Sequence, residues 1–111
     1  MKLSYEDHDA ITVLTISGDM TTDQAESFRR SCQERFGAGI RDFVLDLRHM
    51  TFIDSAGLEA LLWLIDEVSE HGGQLRLVSP DEAIRKILEV TRLERRFNVH
   101  DSIESAAKSL R

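Results

Sequence analysis

The chain has little of what several protein classes require. Among 111 residues there is one cysteine, one proline, one tryptophan and one tyrosine. A lone Cys32 excludes an internal disulfide framework and points to a reducing compartment. Six glycines and a single proline exclude Gly- or Pro-rich linkers, and neither a repeat nor a low-complexity tract divides the chain. The longest uninterrupted apolar run, Ala60 to Ile65, is far short of a membrane span, so no membrane insertion is expected. The N-terminal residues Met1 to Asp7 contain no apolar core of a secretory signal, which makes the cytoplasm the expected location. Positive charge is also scarce: 14 Lys and Arg against 20 Asp and Glu give a formal net charge of −6. Nucleic-acid binding normally leaves a basic footprint, so no nucleic-acid partner is expected.

Catalytic signatures are missing too. Neither the glycine-rich phosphate loop that ends in Gly-Lys-Ser/Thr nor the dinucleotide fingerprint of spaced glycines occurs. Ile53-Asp54-Ser55-Ala56-Gly57 lacks the first glycine of a nucleophile elbow, and the spacing of the four histidines recommends none of them as a base for Ser55. Asp7-His8-Asp9 are adjacent, an arrangement that rarely shares one metal. The expectation is a protein that is not an enzyme and holds no cofactor or metal.

What is present is a globular composition, 41% hydrophobic and 31% charged, sized for one domain over residues 1–111. Ile11 to Ser17 reads as a strand ending at Gly18, paired with a short strand around Leu3 to Glu6. Thr21-Thr22-Asp23-Gln24 has the form of a capping box and opens a helix with Ala25, Phe28, Cys32 and Phe36 on one face. Asp42 to Arg48 alternates as a strand, and Leu58, Leu61, Leu62, Ile65 and Val68 follow at helical spacing. Gln74 to Val78 predicts another strand. Ser79-Pro80-Asp81-Glu82 then predicts a helix capped by Ser79 and burying Ile84, Ile87, Leu88 and Thr91. A strand near Phe97 to Val99 and a helix after Ser102 complete the order β-β-α-β-α-β-α-β-α. This is an α/β fold with a mixed, mostly parallel sheet. Polar residues at alternate strand positions (Asp46, Arg48, Arg76) predict helices mainly on one sheet face.

Ser55 stands where a strand turns into a helix, at or beside a helix N-terminus. Unpaired N–H groups and the helix dipole favour an anion there, so a phosphate on that hydroxyl would be tolerated. Serine is equally a favoured N-cap, which leaves a purely structural role open. Gly57 in the first turn is unfavourable by about 1 kcal/mol relative to alanine, which points to a close backbone approach or unusual dihedrals. Ala56, Ala60 and Trp63 lie off the main apolar stripe; Trp63 either packs on a neighbouring helix or anchors an interface. Arg85, Lys86, Arg92, Arg95 and Arg96 read as a solvated helix face or as a patch for an acidic partner.

A hydrophobic strand, then Thr51-Phe52-Ile53-Asp54-Ser55-Ala56-Gly57-Leu58, then an apolar helix resembles the STAS domain family (sulphate transporter and anti-sigma factor antagonist). The resemblance covers nearly the whole chain, with Gly18-Asp19-Met20-Thr21 similar to the loop after the second strand. It implies a stand-alone bacterial anti-sigma factor antagonist, monomeric or weakly dimeric, that is a substrate and not a catalyst. The family's phosphorylated serine maps onto Ser55 and its motif aspartate onto Asp54; Asp54, Ala56, Gly57, Leu58, Trp63 and Thr21 are the residues expected to meet the partner. The implied partners are an anti-sigma factor serine kinase, bound while Ser55 is unphosphorylated, and a metal-dependent serine phosphatase that resets the switch. The chain departs from the family pattern at Thr21, where an aspartate is common. The alternative implied by the family is a constitutive interaction subunit of a lipid-transport ABC-type or signalling complex.

Overall fold

The computed structural model describes residues 1–110. A two-stranded hairpin comes first, β1 (Lys2–His8) and β2 (Ile11–Met20). Three helix–strand pairs follow: α1 (Thr22–Gly37) and β3 (Asp42–Ile53), α2 (Ser55–Glu70) and β4 (Leu75–Val78), α3 (Glu82–Val90) and β5 (Asn98–His100). A 3-10 turn (Leu93–Arg96) separates α3 from β5, and α4 (Ile103–Lys108) closes the chain. The sheet order is β1-β2-β3-β4-β5, with β1 antiparallel to β2 and the other neighbours parallel. The expected α/β order and mostly parallel sheet are therefore present.

Helices crossing between successive parallel strands in one direction fall on one face of the sheet, because such crossovers are right-handed. The main core matches this: Phe28 of α1, Leu61 and Leu64 of α2, and Ile84 and Leu88 of α3 close over Leu14, Ile16, Phe43, Leu45 and Leu77. The short α4 lies on the opposite face, where Ala106 meets Val44 and Val78.

β3 is longer than its alternation predicts. Two irregularities in its pairing with β2 each give β3 an extra residue, at Thr15/Ser17 and at Gly18/Asp19. Bulges of this kind break the period of two. Beyond Leu47 the buried residues are Met50 and Ile53, three apart, so the apolar signal past Arg48 no longer reads as a strand. β2 likewise continues through Gly18, whose φ of +83° suits the irregularity, to Met20. The two strands thus run on together for several residues past the end of β4, which pairs with β3 only as far as Asp46.

Asp46 is not a solvated polar residue. It is 2% exposed. Arg48 bonds it through Nε at 2.9 Å and Nη2 at 2.8 Å, with the Arg48 N–H donating at 3.2 Å. Burial pushes its pKa up, but these bonds and the guanidinium charge outweigh that and hold Asp46 below the usual aspartate range.

Three local expectations change. Asp81, not Ser79, caps α3, accepting from Ile84 N–H at 2.9 Å; Ser79 adopts φ +39° and its hydroxyl donates to Asp101 C=O. Thr91 is exposed at the end of α3, returning its hydroxyl to Ile87 C=O at 2.7 Å. The face α2 buries is Gly57, Ala60, Leu61, Leu64 and Val68, so Leu58, Leu62 and Ile65 sit at its margin.

Candidate functional site

Two helix N-termini lie side by side where β2 and β3 end. Met20 and Ile53 are paired in register, and the next residues, Thr21 and Asp54, cap α1 and α2. The Asp54 N–H donates to Met20 C=O at 3.3 Å, tying the two turns together. At the first turn, Gln24 Oε1 accepts from the Thr21 N–H at 3.3 Å and from the Thr21 hydroxyl, so the predicted capping box is built. At the second, Asp54 Oδ1 accepts from Gly57 N–H at 2.9 Å.

The second cap corrects the reading of Ser55 as a cap. Asp54 has the extended backbone of an N-cap and performs that role, and Ser55 is the first residue of α2. Its side chain is exposed, and its hydroxyl forms no hydrogen bond with any described residue. About 3.6 residues complete a turn, so Ser55 points nearly opposite to the buried Gly57 and Leu64, at the outer pole of the helix. No histidine bonds it. Two parallel helix dipoles end here, and both favour negative charge.

Gly57 turns out to be a close-approach glycine. A Cβ there would lie 2.5 Å from Met20 carbonyl oxygen and 2.6 Å from Ile53 Cγ1. Its backbone lies outside the positive-φ region, so the missing side chain alone lets α2 begin so near the end of β2. Among the residues proposed to meet a partner, Ser55 is exposed, Asp54, Ala56, Leu58, Trp63 and Thr21 are half-buried, and Gly57 is buried. Trp63 packs partly against the main core.

Two features of this end of the molecule escaped sequence reasoning. Asp54 as cap was legible in principle, since aspartate caps as well as serine does. Phe52 is 48% exposed beside the site, and Thr51 Oγ1 donates to Asp19 Oδ1 at 2.8 Å. Period-two reading ended β3 before these residues, so nothing in the alternation could have exposed them. The run of cations is split between α3 (Arg85, Lys86), the junction after it (Arg92) and the 3-10 turn (Arg95, Arg96); all five residues are exposed, and Arg96 pairs with Asp66 at 3.2 Å. Among the described residues no cluster of three His, Cys, Asp or Glu is placed to hold a metal, and no helix is long and apolar enough to cross a membrane.

The STAS domain model matches residues 2–106, and the chain belongs to that family. A Thermotoga maritima protein provisionally named an anti-sigma factor antagonist is 27% identical over 108 residues, covering 96% of each chain. The crystal structure of an anti-sigma factor antagonist from that organism, also so named provisionally, superposes with a TM-score of 0.90 at 25% identity, covering 97% of this chain and 93% of that one. BtrV of Bordetella bronchiseptica, with the same provisional name, is 27% identical over all of this chain and 96% of its own. The unphosphorylated anti-sigma factor antagonist SpoIIAA shares the fold, with a TM-score of 0.85 at 17% identity over 97% of this chain and 95% of its own.

Proposed function

We propose that this protein is an anti-sigma factor antagonist, a non-catalytic binding module switched by phosphorylation of Ser55. The observation that carries the reading is the division of labour at the start of α2. Asp54 satisfies the helix terminus, so the Ser55 hydroxyl is left at the outer pole of the helix for another protein to reach. The family membership and the names of the relatives supply the biological setting.

Unphosphorylated, the surface around Ser55, Ala56, Leu58 and Trp63 binds an anti-sigma factor that is also a serine kinase, which frees the sigma factor. Asp54, Gly57 and Thr21 act on this surface through the backbone they hold, since their own side chains or lack of one serve the two helix starts. A phosphate adds about −1.5 to −2 charges at neutral pH. Asp54 is its chain neighbour and Glu59 lies one turn along the same line of the helix, so the modified site becomes a concentrated anionic patch. The helix ends tolerate that charge; a partner surface that fits the neutral hydroxyl does not. A metal-dependent serine phosphatase restores the binding form.

The test is intact mass after incubation with ATP and the cognate kinase, beside the Ser55→Ala variant. The expected result is a gain of one phosphate that Ser55→Ala abolishes. A gain that persists in Ser55→Ala would move the acceptor elsewhere. No gain at all, with the kinase still bound, would leave a constitutive interaction subunit.

A further inference from the structure

At the other end of the sheet, on the face that carries α4, lies a cavity of about 480 Å³. Its floor is Ile11 and Val13 of β2 with Ile103 and Ala107 of α4, continuous with the small cluster around Val44, Val78 and Ala106. Six residues of α4 are too few to cover β2, so Ile11 and Val13 remain half-buried. The rim is different in kind. Glu6 and His8 pair in register with Val13 and Ile11 and so rise on the same face, and Asp9 completes the edge from the hairpin turn with φ +57°.

No lysine or arginine among the described residues lines this cavity. Among the described residues Glu6 meets only His8, at 3.3 Å between largely exposed groups, and Asp9 makes no side-chain hydrogen bond. A metal does not fit, because these groups do not converge into a ligand cluster and the floor offers hydrocarbon. An oxyanion would meet two carboxylates. The volume lies within the range of about 300–1,000 Å³ found for small-molecule sites, which are apolar with a few placed polar groups.

We propose that this cavity is a binding site for a small organic ammonium ion, an amine whose alkyl or aryl body lies on Ile11, Val13, Ile103 and Ala107 while its charged head lies at the rim, in the field of the separate Glu6 and Asp9 carboxylates. It is independent of the Ser55 surface, which lies at the far end of β3 and involves the helices of the opposite face. Exposed ion pairs contribute up to about 1 kcal/mol each, so charge selectivity is moderate, about fivefold or somewhat more for two carboxylates.

The experiment is a titration of the ¹⁵N-labelled full chain in near-physiological salt with 2-phenylethylammonium, the neutral 2-phenylethanol and 3-phenylpropionate. Saturable shifts of the Ile11, Val13, Ile103 and Ala107 amides are expected with the ammonium ion. Affinity should fall about fivefold or more for the alcohol, with no saturation for the carboxylate. The Glu6→Gln/Asp9→Asn double variant should bind the ammonium no better than the parent binds the alcohol, and Ala107→Leu, which fills the floor, should lose both while its spectrum stays dispersed. Equal affinity for ammonium and alcohol, shifts scattered over the acidic surface without saturation, or ammonium binding that survives the double variant unchanged would overturn the assignment. Should Ala107→Leu lose its dispersion, the comparison of parent and double variant decides.

Discussion

Replacing Gly57 with alanine sets two well-known effects against each other. Helix propensity alone favours alanine by about 1 kcal/mol. Sterics oppose it, because the new Cβ would sit 2.5 Å from the Met20 carbonyl oxygen and 2.6 Å from Ile53 Cγ1. The Ile53 side chain could rotate away, but the Met20 carbonyl is backbone and accepts the Asp54 N–H. Relief therefore requires α2 to move off the end of β2, at the upper part of the overpacking range of about 1–3 kcal/mol. The net expectation is destabilisation by about 1–2 kcal/mol. With an unfolding entropy of about 2.1 cal/mol/K per residue, 111 residues lose about 4 °C of Tm per kcal/mol, so Tm should fall by about 4–9 °C. Gly37→Ala is the control: nothing lies within 4 Å of its added Cβ, and the same propensity should raise Tm by up to about 4 °C. Differential scanning calorimetry of the three proteins decides it. A Gly57→Ala protein as stable as the parent would refute the close-approach explanation and return Gly57 to the partner surface.

The two adjacent residues at the start of α2 should separate stability from binding. Asp54→Ala should cost about 1 kcal/mol by loss of the cap. Ser55→Asp should stay within about 0.5 kcal/mol of the parent while weakening the anti-sigma kinase, and urea denaturation beside a binding titration checks both. A large stability loss in Ser55→Asp would make Ser55 structural after all. Asp46 titrates lower in the folded protein than in the unfolded chain, so its stabilisation is complete above the ordinary value of 3.8 and drains away as pH falls through the depressed one. Asp46→Asn should therefore lower stability at neutral pH and flatten the acid limb of a stability–pH curve. Burial pushes the Cys32 thiol far above its ordinary range, so iodoacetamide should spare it in the native protein and label it rapidly in urea.

The readable parts of the fold were those set by local chemistry. Thr21 with Gln24 and Ser102 with Ser105 work over three residues, and such contacts depend on nothing distant. The end of β3 was not readable, because the bulges that change its period arise from pairing with β2, a partner some thirty residues away in the chain. The buried face of α2 was ambiguous for another reason. Apolar residues occupy most of its circumference, and only the docked helix chooses Leu64 over Leu58. At the candidate site the motif pointed to the right turn, but Asp54 and Ser55 are both good caps. The structure gives the role to Asp54, whose backbone is extended and whose N–H is held by the Met20 carbonyl of β2.

The strands stand in the sheet in the order in which they occur in the chain. Each new strand therefore docks on an edge already formed by residues synthesised before it, and no strand has to be inserted between two others. During translation at about 5–20 residues per second, the hairpin, α1, β3 and α2 can assemble while β4 and β5 are still being made. The surface around Ser55 draws on those elements alone, which end at Glu70, so the docking face is laid down before β4 and β5 are made. A truncation that removes β5 and α4 should for the same reason unfold from its new edge inward, with the Ser55 turn among the last parts to lose protection.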